Sequence, residues 1–442
     1  MKVEMQREPQ VVEAKQQGGS KYRYRILAML FVATTINYMD RSIIGVLGPT
    51  LIEHVFHWTK MEYAQINMVF KFAYALGMLG MGGVIDRFGT RIGYILAIGI
   101  WSVFGMLHAL VQPAFGFIGF CMARAGLGFG EAGNFPAAVK TVAEWYPKKD
   151  RAFATGIFNA GSNIGAILAP LAIPLVVLPD GTNWQFAFLM TGAFSFIWVL
   201  VWIKIYKKPE EHPKVSQEEL AYIQSDVEEG EIEQEKEKMS WAKVLPLKQT
   251  WAFAIGKITD AVWWFYLFWG SLFLHDQFGL DLHGLALPMI IVFLIADVGS
   301  IAGGYLPKIF LNRGASLNVA RKLTLLICAL FILPAMFVPY MSNQWYAVLL
   351  MAFAAGGHQA WSANLFTVAS DTMPKKATAS VVGIGGMIGA LAGMLADFSL
   401  GSVLTASGKE GYVFAFAIAG SIYLVCLALI HLIIPKLERA KI

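Results

Sequence analysis

Charge is what this sequence has least of. Only 15% of its 442 residues are Asp, Glu, Lys or Arg, against roughly 25% in a soluble domain. With 57% hydrophobic residues, a chain of this size cannot hide its apolar surface from water, so the solvent it suits is a bilayer. Cysteine is scarce too. Cys121, Cys328 and Cys426 lie far apart in apolar segments, without metal or redox spacing, and read as small buried hydrophobes. The N-terminus up to about Tyr24 is polar and carries no cleavable leader pattern, so the first apolar run is expected to stay as a helix. There is no metal-ligand His/Glu spacing and no nucleophile beside a base, so neither an enzyme nor a metal or cofactor is expected. Gly128, Gly130 and Gly133 have the G-x-G-x-x-G spacing of a dinucleotide turn, but no strand precedes them and no soluble sheet surrounds them. The net charge of +5 comes from short basic clusters between apolar runs, a sign of membrane topology and not of nucleic-acid binding.

What the sequence has in abundance is long apolar runs. Stretches of about 20 residues, enough to cross a roughly 30 Å hydrocarbon core, recur twelve times. They fall at roughly 25–50, 64–85, 92–111, 116–138, 152–177 and 184–206, then at 249–275, 285–307, 322–340, 345–369, 378–400 and 411–434. The expected class is an all-α membrane protein of twelve transmembrane helices in two six-helix bundles, spanning 25–206 and 249–434. Residues 1–24 and 435–442 would be tails. The hydrophilic interval 207–248, with its charge run EEGEIEQEKEK, would link the halves. Arg87, Arg91, Lys148, Lys149, Arg151, Lys308, Arg313, Arg321, Lys375 and Lys376 all fall on loops of one side. By the positive-inside rule that side, both termini and the linker are cytoplasmic. The halves also repeat. EWYPKKDRAFATGIFNAGSNIGA (144–166) matches DTMPKKATASVVGIGGMIGALAG (371–393) in spacing, and GGVIDRFGTR (82–91) has a weaker counterpart in GGYLPKIFLNRG (303–314). Parallel repeats with a site near the midplane are the architecture of a secondary transporter.

GGVIDRFGTRIG after the second span resembles the conserved loop of the major facilitator superfamily. NYMDR in the first span, ARAGLGFGEAGNFP in the fourth and EWYPKKDRAFATGIFNAGSNIGA in the fifth resemble its anion:cation symporter branch. HQAWSANLFTVASDTMPKKATASVVGIGG (358–386) is similar to the hexuronate transporters of that branch. The resemblance implies that Asp40 and Glu131 bind protons, that Arg41 holds a substrate carboxylate, and that Arg124 couples with the carboxylates. It implies a charge latch of Asp86, Arg87 and Arg91, and a cavity tyrosine at Tyr74. A polar position of the branch in the eleventh span is Gly386 here.

The residues themselves support and qualify those roles. A charge inside a spanning helix costs at least about 2.5–3.5 kcal/mol, so each needs a partner or a function. Arg124 and Glu131 are seven apart, on one helix face about 10 Å from each other, and could instead be a bundling ion pair. Asp40 and Arg41 are adjacent and so point about 100° apart; one can face a neighbouring helix while the other faces the cavity. Arg suits an organic carboxylate because its planar fork binds two oxygens at once. Lys71, three residues before Tyr74, reads either as snorkelling outward or as a second anion contact. Tyr38 is a hydroxyl donor or packing. Asn163 is a candidate for sugar hydroxyls on a small-residue helix that otherwise suits helix contact. Trp264, in the run WWFYLFW, either packs or stacks on a sugar ring. In the tenth span Gln359 and Asn364 are candidates for hydroxyl recognition, while His358 is a site residue or a satisfied core histidine. Asp260, Asp297 and Asp397 stay unassigned. The expected protein is a monomeric bacterial inner-membrane symporter that imports a hexuronate such as galacturonate or glucuronate with protons. An aldonate, aldarate or aromatic acid is the alternative substrate, and a transporter-derived sensor the alternative class.

Overall fold

The structure, a computed structural model, describes residues 21–225, 241–373 and 375–440, and the side chains of all but a few of these, Asp86 among the exceptions. Every regular element among the described residues is helical. The first half holds α1 (Tyr22–Thr50), α2 (Lys60–Leu107), α3 (Gly116–Glu131), α4 (Asn134–Trp145), α5 (Lys148–Ala172) and α6 (Gln185–Ile205). A short α7 (Gln217–Ile223) follows. The second half holds α8 (Lys248–Lys257), α9 (Asp260–Phe278), α10 (Leu282–Asn312), α11 (Leu317–Ile332), α12 (Gln344–Thr372), α13 (Lys375–Ser407) and α14 (Gly411–Ile433).

Local chemistry sets the helix starts. Thr59 and Glu62 form a capping box at α2, and Asp281, Ser316 and Asn343 cap α10, α11 and α12. α2 covers two expected spans and folds at Gly89, whose φ of 78° suits a residue without a side chain. Beyond the fold its legs press together: a Cβ on Gly93 would stand 2.8 Å from the Cα of Ile85.

Two expected spans, 116–138 and 249–275, are broken. Between α3 and α4, Pro136 has no N–H to offer the carbonyl four residues back, and the chain tightens at Ala132 and Gly133. Between α8 and α9, the Thr259 hydroxyl takes the Gly256 carbonyl at 2.8 Å and the backbone turns through three-residue hydrogen bonds. Seven stretches among the described residues are long and apolar enough to cross a membrane by length and composition alone. Neither broken span is among them.

Within each half, α1 packs along α5, α2 against α3, and α10 along α12; between halves the contacts run through α1–α9, α2–α13 and α5–α10. The linker is more ordered than a solvated tether. α7 docks on the start of α1, where the buried Glu219 carboxylate accepts from Tyr22 N at 2.9 Å and Arg23 N at 3.1 Å, and pairs with the Arg23 guanidinium at 3.2 Å. That carboxylate caps α1 in trans. EEGEIEQEKEK lies outside the described residues.

Candidate functional site

At the centre, between the halves, Arg41 Nε donates to Glu131 Oε2 at 2.8 Å, with both side chains almost wholly buried. Glu131 is the last residue of α3, immediately before the break, so the backbone turns away and leaves its carboxylate facing α1. An aromatic box surrounds the Arg41 guanidinium: the rings of Tyr38, Tyr74 and Trp264 lie 4.6, 4.8 and 5.2 Å away. Trp264 comes from α9 in the second half, so the box spans the interface.

Asp40 points the other way, as its neighbouring position on the helix requires. It lies inside the first half, where Ser195 Oγ donates to it at 3.3 Å and itself receives the Trp101 indole N–H at 3.0 Å. Arg124 is fully buried, yet it does not pair with Glu131. Its guanidinium lies over the Phe70 ring at 4.1 Å, with Phe268 at 5.5 Å. The glycines beside it serve packing: a Cβ on Gly130 would stand 2.6 Å from Trp101 N.

Lys71 neither snorkels nor stands open to a ligand. It is buried and paired across the halves with Asp397 of α13 at 2.6 Å, and Trp269 Nε1 holds the other carboxylate oxygen at 2.9 Å. Further cross-half contacts gather at the same end of the molecule. Lys60 pairs with Asp276 at 2.8 Å, and Glu53 with His275 at 2.9 Å. Together they seal that end.

Two candidates of the second half have partners of their own. His358 bonds through Nδ1 to the Tyr423 hydroxyl at 2.7 Å and stacks on Trp263, as the core-histidine alternative expects. Asn364 donates to Gly303 O at 2.8 Å and Ala360 O at 2.9 Å, stapling α12 to α10 with its amide N–H groups spent. Gln359 does face the other half, and its amide reaches Asn163 Oδ1 at 3.5 Å. A Cβ on Gly386 would meet nothing within 4 Å, so space adjoins α13 there. Asp260 pairs with Lys257 across the α8–α9 break. Asp297 is half-buried on α10.

The expected latch lies at the fold of α2. The Asp86 side chain lies outside the described residues, Arg87 is exposed, and Arg91 donates to the Ile203 carbonyl in the last turn of α6 at 2.6 Å. Among the described side chains, Glu144 is a carboxylate at that corner, and it accepts from Thr90 Oγ1 at 2.6 Å and from the Tyr206 hydroxyl. Glu144, Ser195, Lys257 and Asp397 carry this geometry unforeseen. Asp397 and Lys257 gave a signal, as charges inside apolar spans.

Residues 30–396 match the sequence profile of the Major Facilitator Superfamily. The chain is 32% identical over 389 residues to the hexuronate transporter of Escherichia coli (strain K12), covering 87% of this chain and 88% of that one. It is 32% identical over 335 residues to the galacturonate transporter of Dickeya chrysanthemi, covering 75% and 95%. Among solved structures, a bacterial homolog of the human lysosomal transporter Spinster, in an inward-facing and occupied conformation, superposes with a TM-score of 0.75 at 20% identity, over 95% of this chain and 98% of that one.

Proposed function

Because this chain belongs to the Major Facilitator Superfamily and is a multi-pass membrane transporter, not an enzyme, we propose that it imports a sugar acid together with protons by alternating access. The substrate is a hexuronate such as galacturonate or glucuronate, the class carried by the two relatives named above. The membrane is a bacterial inner membrane, with both termini cytoplasmic and the protein working as a monomer. The observation that carries the reading is the Arg41–Glu131 pair inside an aromatic box contributed by both halves.

That pair supplies a coupling mechanism. The carboxylate of an incoming sugar acid competes with Glu131 for the Arg41 fork, which binds it through two oxygens. A carboxylate stripped of its guanidinium in a water-poor site does not stay charged; it takes up a proton. Binding the anion and loading the proton on Glu131 thus become one event. Asp40, sheltered by Ser195 within the first half, serves as a second proton carrier beside it. After substrate release the freed Arg41, with Arg124 buried nearby, favours the charged carboxylate and drives the proton off Glu131. Tyr38, Tyr74 and Trp264 pack the sugar ring, and Asn163 with Gln359 contacts its hydroxyls. Lys71 acts through the seal, as a partner of Asp397. Moving at least one proton with each anion makes import neutral or positive inward, so an inside-negative potential does not oppose it.

The test is uptake into proteoliposomes. An inward proton gradient drives accumulation of labelled galacturonate, and a protonophore collapses it. Uptake indifferent to the protonophore refutes symport.

A further inference from the structure

Three acid–base pairs lie in the interior between these helices, and one differs from the others. In Arg41–Glu131 and Lys71–Asp397 no side chain is more than 3% exposed. In Lys257–Asp260 the lysine is 8% exposed and the carboxylate 21%. This pair therefore presents polar atoms to open space while remaining deep in the span. The pair bridges the break at Ile258 and Thr259, Lys257 ending α8 and Asp260 opening α9.

Its surroundings are shaped for it. A Cβ on Gly389 of α13 would stand 2.9 Å from the Lys257 carbonyl and 3.1 Å from Asp260 Oδ2, and one on Gly385 would stand 3.0 Å from Lys257 Cγ. Gly386, three residues before Gly389 and so on the same face, borders open space. Larger residues at these positions would fill the room beside the pair. Asp260 lies one helical turn before Trp264 on α9, and so on the same face as the ring that packs 5.2 Å from Arg41 of the opposite half. Arg41 and the Lys257–Asp260 pair thus face the same interior from opposite sides.

We propose that Lys257 and Asp260 form the second pole of the substrate site, receiving the hydroxyl-bearing end of a sugar monoacid and, by neutralising each other, excluding a second carboxylate. This rests on the sugar-acid reading above. A hydroxyl both donates and accepts, and an ammonium beside a carboxylate offers one partner of each kind. A dicarboxylate reaching this pole meets a lysine whose charge is already cancelled and an Asp that repels it. Specificity for one carboxylate comes from this repulsive element as much as from the attraction at Arg41.

The experiment is a charge ladder read by calorimetric binding of galacturonate, with one carboxylate, and galactarate, with two, to the purified full-length protein. Lys257→Gln makes the pole net negative, the wild type and Lys257→Gln/Asp260→Asn leave it neutral, and Asp260→Asn makes it net positive. The galactarate-to-galacturonate affinity ratio should rise in that order, by about tenfold at each charge step. A misfolded single variant leaves the other to be compared with the double variant, and the same step must appear. Galacturonate binding with an unchanged ratio across the ladder overturns the assignment of the pair and leaves the transport reading intact. A wild type that binds neither acid overturns the sugar-acid reading, and this inference with it.

Discussion

Asp397→Asn is the substitution that bears most directly on how the seal between the halves is held. In this conformation Lys71 and Asp397 are 1% and 3% exposed and 2.6 Å apart. The amide keeps an oxygen that can accept, beside Gly393 O at 3.2 Å, but the buried Lys71 ammonium loses its counter-charge. Breaking one side of a buried pair costs about 3–5 kcal/mol because the other charge is stranded. In a state where the halves part at this end, Lys71 meets water and that cost disappears. At about 1.4 kcal/mol per tenfold, the substitution therefore shifts the population toward the parted state by a hundredfold or more. Ala64, fully buried where α2 meets Gly401 of α13, reports the change. With Ala64→Cys as the probe, a membrane-impermeant maleimide should label the Asp397→Asn protein far faster than its parent. Lys71→Met/Asp397→Leu should restore slow labelling, since replacing a buried pair with apolar residues is near neutral or stabilising. Equal labelling in the single variant and its parent would refute the assignment of this pair to the seal.

Other consequences are as direct. Glu131→Gln should abolish proton-driven accumulation while counterflow exchange persists; wild-type accumulation in the gradient assay would remove Glu131 from coupling. Gly130→Val should lower stability in detergent by about 1–3 kcal/mol, because the new side chain meets the Trp101 backbone and not a flexible tip, and a thermal melt reads the loss. Glu219→Ala should lower the melting temperature too, since it leaves the Tyr22 and Arg23 N–H groups uncapped; charge-assisted bonds of this kind contribute about 1.5–3 kcal/mol. His212, held against Tyr22 and bonded to the Ile205 carbonyl, has its pKa lowered, chiefly by burial. A base whose folded pKa lies below its unfolded value of about 6.5 stabilises fully above that pH and loses the contribution as pH falls below it. Linker docking, followed by protease protection of α7, should weaken below about pH 6.5, and His212→Gln should flatten that dependence.

The spans, the class and the charged candidates were legible because the signals are local. A 20-residue apolar run, or an Arg inside one, announces itself without any partner. Asp40, Arg41 and Glu131 were visible on that ground, and the adjacency of Asp40 and Arg41 foretold that they would face different ways. Partnership was not legible. Glu131 lies 90 positions from Arg41, and Asp397 lies 326 from Lys71, so no spacing rule connects them. The partners of His358 and Asn364 were hidden for a related reason: a polar side chain bonded to Tyr423 or to a helix carbonyl has the same spelling as one that faces a cavity. The break before α4 did carry its signal in Pro136, and Lys257 was visible as a charge inside the expected span 249–275, though its pairing with Asp260 across a break was not.

The fold of α2 at Gly89 has a mechanical consequence. Where two spans are joined by a loop, each can tilt on its own and the loop absorbs the difference. Here the joint is one residue, clamped by Gly93 against Ile85. The two legs behave as a rigid bracket, one arm bearing Lys71 and Tyr74 at the interface and the other bearing Trp101 behind Asp40. A displacement imposed on the interface arm is therefore carried to the wall behind Asp40 with little slack. The sheltered carboxylate registers the motion of the halves without touching the second half itself.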